Sequence, residues 1–157
     1  PPPELRGLEL RGISGGFLVQ EADEVTLDRS AWRVVTEREP TEQQWRDLEV
    51  AWVVCARTSS NAIVLVRDGV AVGIGAGQQS RVDAAAIAAQ KAAGRAAGGA
   101  CASDAFYPFR DGLDAAADAG VAAVIQPGGS VRDNELIDAA NERGLPMVFT
   151  GQRHFRH

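Results

Sequence analysis

The chain has 157 residues, 45% hydrophobic and 24% charged, enough for one globular domain with a sizeable core. Its net charge of −5 argues against broad nucleic-acid binding through a basic surface, and no apolar run reaches the ~18 residues of a membrane span. The two cysteines, Cys55 and Cys101, lie far apart without metal-ligand spacing, and no signal peptide is recognisable, so the reading predicts a reduced, cytoplasmic protein.

The opening "PPPELRGLELRG" reads as a linker, which marks the chain as a fragment of a longer protein. Short apolar runs at 16–20 and 32–36 are weak strand signals. Residues 1–40 are therefore taken as a leading segment and 41–157 as the folded lobe. After Pro40, Thr41 and Gln44 form a capping box, in which each side chain satisfies an amide at the helix start. Trp45, Leu48, Trp52 and Cys55 follow at helical spacing, which predicts a helix to about Arg57 with these residues in the core.

Runs at 62–67 and 70–74 are joined by Asp68-Gly69, a pair suited to the positive φ angles of a tight hairpin. Gly73, Gly75 and Gly77 lead to Ser80, the expected cap of a helix over 81–97. Those glycines admit two readings: close backbone approach to a ligand at a helix N-terminus, or tight packing against the following helix. A short segment at 100–105 precedes "FYPFRDG", in which three aromatics stand within four residues around a proline. Aromatics concentrated at a break in regular structure, beside charges, read as a ligand wall.

The last third predicts a helix over 111–119, a strand over 121–126, a helix from a Ser130 cap to Arg143, and a strand over 146–150. This order implies a crossover between parallel strands, and ligands in such sheets gather at the strands' carboxyl ends. Residues 126–130, 150–153 and the aromatic stretch should line one edge.

"SNAIV", "GIGAGQQSRVDAA", "ASDAFYPFRDG", "VIQPGGSVRD" and the terminal "RHFRH" resemble, in this order, the end of the bifunctional purine-biosynthesis family. That family pairs IMP cyclohydrolase with AICAR transformylase, and the resemblance covers residues 13 to 157. It implies the C-terminal lobe of the transformylase domain: an α/β, cytidine deaminase-like layered α-β-α lobe with a mixed sheet and no zinc site. A zinc deaminase needs a His/Cys-x-Glu and a Pro-Cys-x-x-Cys ligand set, and neither occurs in the sequence.

The family transfers a formyl group from 10-formyltetrahydrofolate to AICAR. The resemblance implies that Asn61, Arg81, Phe106 and Arg153 contact AICAR, with Asn61 supporting the reacting centre and Arg153 near the nucleotide phosphate. From its residue type alone, Asn61 also reads as a turn asparagine at a strand start. Val82, Asp111, Ser130 and Val131 are implied folate contacts, with Asp111 pairing with the pterin. Some members hold a potassium ion where Asp104 and the terminal His157 fall.

The resemblance also implies a homodimer. The family's catalytic lysine and histidine lie in a "KHVNPCG"-like motif of the preceding lobe, which this sequence lacks; its single lysine is Lys91 and its histidines are His154 and His157. This chain alone is therefore expected to be nearly inactive. The alternatives are a non-catalytic nucleotide- or folate-binding module, or a dimerisation piece.

Overall fold

A computed structural model describes residues 7–156. Its first elements lie in and beside the stretch read as linker: β1 (Leu8–Ile13) pairs antiparallel with β2 (Gly16–Glu21) in a separate hairpin. The alternation of Leu8 and Leu10 with Glu9 and Arg11 is a strand pattern that the leading prolines obscured. The register places Leu8, Leu10, Phe17 and Val19 on one face and Glu9, Arg11 and Gln20 on the other, and every residue of the hairpin is exposed.

The main sheet contains β3 (Arg33–Val34), β4 (Ile63–Arg67), β5 (Val70–Gly75), β6 (Ala100–Ser103), β7 (Ala123–Gln126) and β8 (Met147–Phe149), in the order β3-β8-β7-β6-β4-β5. β6, β7 and β8 are parallel, whereas β3 pairs antiparallel with β8 and β4 antiparallel with both β5 and β6. The chain is thus an α/β fold with a mixed sheet, and β3, from the leading segment, forms one edge of it. Among the described residues no helix is long and apolar enough to cross a membrane.

Among the described residues, four α-helices cover the sheet. α1 (Glu42–Ala56) starts with the expected capping box, in which the Gln44 amide donates to Thr41 Oγ1 at 3.3 Å and the Thr41 amide to Gln44 Oε1 at 2.8 Å. Its buried stripe of Trp45, Leu48, Trp52 and Cys55 packs on Val64, Val66, Ala102, Ile125 and Val148. The alternate strand residues Ile63, Leu65, Cys101, Val124 and Met147 face the opposite layer of α2 (Arg81–Ala92), α3 (Arg110–Asp118) and α4 (Asp133–Glu142). Strand period two therefore divides one sheet between two cores.

The glycine run resolves in favour of packing at two positions. A Cβ on Gly73 would overlap the Ala88 carbonyl, and one on Gly75 the Ala84 carbonyl, so α2 lies directly on β5. Gly77, at φ +65 with open space around it, makes the turn toward Ser80, whose hydroxyl accepts from the Asp83 amide at 3.1 Å. Asp68 and Gly69 both have positive φ in the β4–β5 turn, as the sequence required.

Two helix boundaries differ from expectation. α2 stops at Ala92, not 97, because Ala93 takes a left-handed cap and Gly94 continues with φ +80. α4 starts at Asp133, and Ser130 is not its cap: the Asp133 carboxylate turns back to accept the Gly129 and Ser130 amides at 2.7 and 3.1 Å. The Ser130 hydroxyl instead accepts from the Arg132 amide at 3.1 Å.

Because β6, β7 and β8 are parallel, their carboxyl ends share one edge of the sheet. Antiparallel β4 begins at that edge, and β5 ends there.

Candidate functional site

The residues leaving β6 meet those entering β4 and those following β5. Asp104, one residue beyond β6, has a fully buried side chain at the junction. One carboxylate oxygen accepts the Ala62 amide and Arg81 Nη2, each at 3.1 Å, and the other accepts the Ser60 hydroxyl. Arg81 opens α2 and is only 12% exposed, so its ion pair with Asp104 is a buried one that fixes the guanidinium. Neighbouring Asn61 donates from Nδ2 to the Gln78 carbonyl at 2.9 Å and exchanges backbone hydrogen bonds with Gln78 at 3.2 and 3.3 Å. The loop after β5 is thereby stitched to the segment before β4, and Asn61 serves as a loop tie as well as a wall residue.

Above this junction lies a pocket of about 480 Å³ lined by Asn61, Gln79, Arg81, Val82, Phe109 and Asp111, among others. Four residues expected in the site from separate stretches (Asn61, Arg81, Val82 and Asp111) are therefore neighbours. Asp111 is an exposed residue in the first turn of α3, and among the described residues its carboxylate accepts only the neighbouring Gly112 amide, at 2.8 Å. It is not the helix cap. That position is Phe109, which has no capping side chain.

The three aromatics do not form one wall. Tyr107 is fully buried, its hydroxyl 3.4 Å from Cys101 Sγ and its amide donating to Gln126 Oε1 at 3.1 Å, so it is core. Phe109 is half exposed, lines the pocket, and carries the Arg132 guanidinium 4.7 Å from its ring centre. Phe106 is partly buried and does not line that pocket. Pro108 breaks the periodicity, so sequence spacing could not say which ring turned inward.

A second pocket of about 460 Å³ follows the ends of β7 and β8, lined by Pro127, Gly128, Gly129, Asp133, Phe149 and Thr150, with Arg33 contributed by β3. Ser130 and Val131 stand beside it, Val131 fully exposed. The Gly129 and Ser130 amides are occupied by the Asp133 carboxylate. Arg153 is exposed on the C-terminal tail, its guanidinium 5.6 Å from the Phe155 ring centre. Phe106, Ser130, Val131 and Arg153 are thus not gathered with Arg81 in one pocket. His157 lies outside the described residues. Among the described residues no group of three or more His, Cys, Asp or Glu is placed to hold a metal.

Beneath the site, both thiols are free and buried. Burial pushes Cys101 up to about 12, against a lowering contribution from the Tyr107 hydrogen bond. Cys55 is raised well above its ordinary value, first by burial and then by the negative charge of Asp104. Neither serves as a nucleophile at neutral pH.

The AICARFT/IMPCHase bienzyme family model matches residues 2–91, which carry Asn61, Arg81 and Val82. The chain belongs to that bienzyme family. It is 55% identical over 145 residues to the bifunctional purine biosynthesis protein PurH of Anoxybacillus flavithermus, covering 92% of this chain and 28% of that protein. Against the PurH proteins of Roseobacter denitrificans and Parvibaculum lavamentivorans identity is 53% and 54%, covering 99% and 100% of this chain and 31% of each relative. The chain therefore spans less than a third of these curated relatives of the bienzyme family.

The role of Asp104 as a hub was not legible from the sequence, although the residue was singled out as a neighbour of a bound cation. The available signal was a carboxylate directly after a short strand of small, mostly apolar residues, Ala100–Ser103. Such a residue is buried with its strand and must find donors.

Proposed function

We propose that this chain is the C-terminal, cytidine deaminase-like lobe of an AICAR transformylase domain, contributing half of a site that formylates AICAR with 10-formyltetrahydrofolate. The observation that carries this reading is the shared pocket of Asn61, Arg81, Val82 and Asp111 in a chain of the bienzyme family. Arg81, held by Asp104, offers a fixed cation to the nucleotide. Asn61 can both donate to and accept from a carboxamide. Asp111 presents an exposed carboxylate to the adjacent N–H groups of a pterin, and Val82 an apolar surface to the folate. Phe106 and Arg153 would reach AICAR, and Ser130 and Val131 the folate, from flanking positions.

The chemistry itself needs groups this chain lacks. A base must take the proton from the attacking amine, and a donor must steady the developing charge; such groups contribute about 10²–10⁴-fold each. In the proposed assembly they come from the preceding lobe. A potassium ion near Asp104 and His157 would be structural. The exposed apolar face of the β1–β2 hairpin favours, as a second reading, a part in assembly or dimerisation. Formyl transfer to AICAR, assayed with the 157-residue chain and with the full-length polypeptide carrying it, tests the proposal. The full-length protein should turn over and the chain alone should not. Full activity in the chain alone, or none in the full-length protein, overturns the reading.

A further inference from the structure

We infer that Asp23 and His154 are positioning residues, acting on the pocket through Asp104 and Ser60. Asp23 follows β2 and His154 lies in the C-terminal tail, 131 positions away, yet His154 Nδ1 is 2.7 Å from Asp23 Oδ1. An ionised carboxylate only accepts, so this bond places the hydrogen on Nδ1. The imidazole is 2% exposed and packs edge-on against Trp52, ring centres 5.1 Å apart. Nε2 is buried without a partner among the described residues, which leaves Asp23 and Trp52 to fix the ring.

The tail so anchored supports both sides of the Arg81 junction. The His154 amide donates to the Asp104 carbonyl at 3.0 Å, and the Arg156 carbonyl accepts the Ser60 amide at 2.7 Å. Asp104 and Ser60 are the groups that set Arg81 and the chain entering Asn61. The seam closes with Arg57 donating to the Asp23 carbonyl at 3.3 Å and Thr26 to Gln152 Oε1 at 3.1 Å. Neither Asp23 nor His154 lines the pocket, so any effect on ligand passes through the backbone they hold.

This inference rests on reading Arg81 and Asn61 as AICAR contacts, and its test separates the two claims. In the full-length polypeptide, Asp23→Ala, His154→Leu and His154→Asn are assayed for AICAR KM and kcat, with hydrogen exchange followed in peptides spanning 57–63 and 100–106. Loss of the bond should raise KM about tenfold in D23A and H154L, with kcat changed less than about threefold. Exchange at Ser60 and Ala62 should quicken in both. H154N keeps an N–H near the Nδ1 position and should restore KM to within about threefold of wild type. Unchanged KM in H154L overturns the inference. So does H154N failing like H154L with an equal loss of Tm, which would leave the ring as packing for Trp52. If the wild-type protein does not use AICAR, the functional reading fails, and the exchange data alone decide the positioning claim: unchanged exchange refutes it.

Discussion

Replacing Asp104 with alanine should be among the most damaging single changes in this chain. The carboxylate is fully buried and accepts from Arg81, the Ala62 amide and Ser60. Its removal leaves a nearly buried guanidinium uncompensated and two further donors unpaired. Breaking one side of a buried ion pair costs about 3–5 kcal/mol. For a chain of this size about 2–4 °C of Tm accompanies each kcal/mol, so Asp104→Ala should lower Tm by roughly 6–20 °C. Urea titration followed by the emission of Trp32, Trp45 and Trp52 reads the same loss. Asp104→Asn keeps an acceptor oxygen and should lose less. Arg81→Met in the alanine background removes the stranded cation and should recover part of the stability, a coupling of about 1–3 kcal/mol. A loss below 1 kcal/mol for Asp104→Ala, or no coupling with Arg81→Met, would refute the buried-hub account.

Other consequences are more local. Gly75→Ala, which drives a Cβ into the Ala84 carbonyl, should cost about 1–3 kcal/mol in denaturant titration, whereas Gly77→Ala pays only for its φ of +65. On the functional reading proposed above, Asp111→Ala should raise folate KM in the full-length polypeptide while leaving Tm within a degree or two, since among the described residues Asp111 bonds only to the Gly112 amide. A Tm loss with folate use intact would make it a structural residue. Cys55 and Cys101 should resist thiol reagents in the native chain at pH 8 and react only on unfolding. Because folding raises the Cys101 thiol from 9.0 to about 12, the folded state holds that proton more tightly. Its stabilising contribution is therefore complete below about pH 9 and lost as pH rises toward 12, which alkaline denaturation curves can check.

The fold was legible wherever local chemistry and pattern agreed. The Thr41–Gln44 capping box, the Asp68-Gly69 turn and the Ser80 cap each announce themselves in two or three adjacent residues, and each is present. Boundaries set by competition between neighbours were not legible. Ser130 and Asp133 both could cap, and only the folded backbone decides that Asp133 takes the free amides. The stretch at 106–109 has no period, so Tyr107 turning into the core could not be separated from Phe109 facing the pocket. Within the site, Asn61, Arg81, Val82 and Asp111 were nameable through resemblance to a family. The Asp104 hub and the Asp23–His154 contact were not, because both join side chains far apart in sequence, and spacing along the chain does not show which of them meet.

The central claim is that the pocket of Asn61, Arg81 and Asp111 receives AICAR and folate. A crystal structure of the full-length polypeptide with AICAR and a non-reactive folate analogue tests it most directly. The account predicts the AICAR carboxamide within hydrogen-bond reach of Asn61, the nucleotide against Arg81, and the pterin paired with Asp111. Both ligands bound elsewhere, with this pocket holding only solvent, would contradict it.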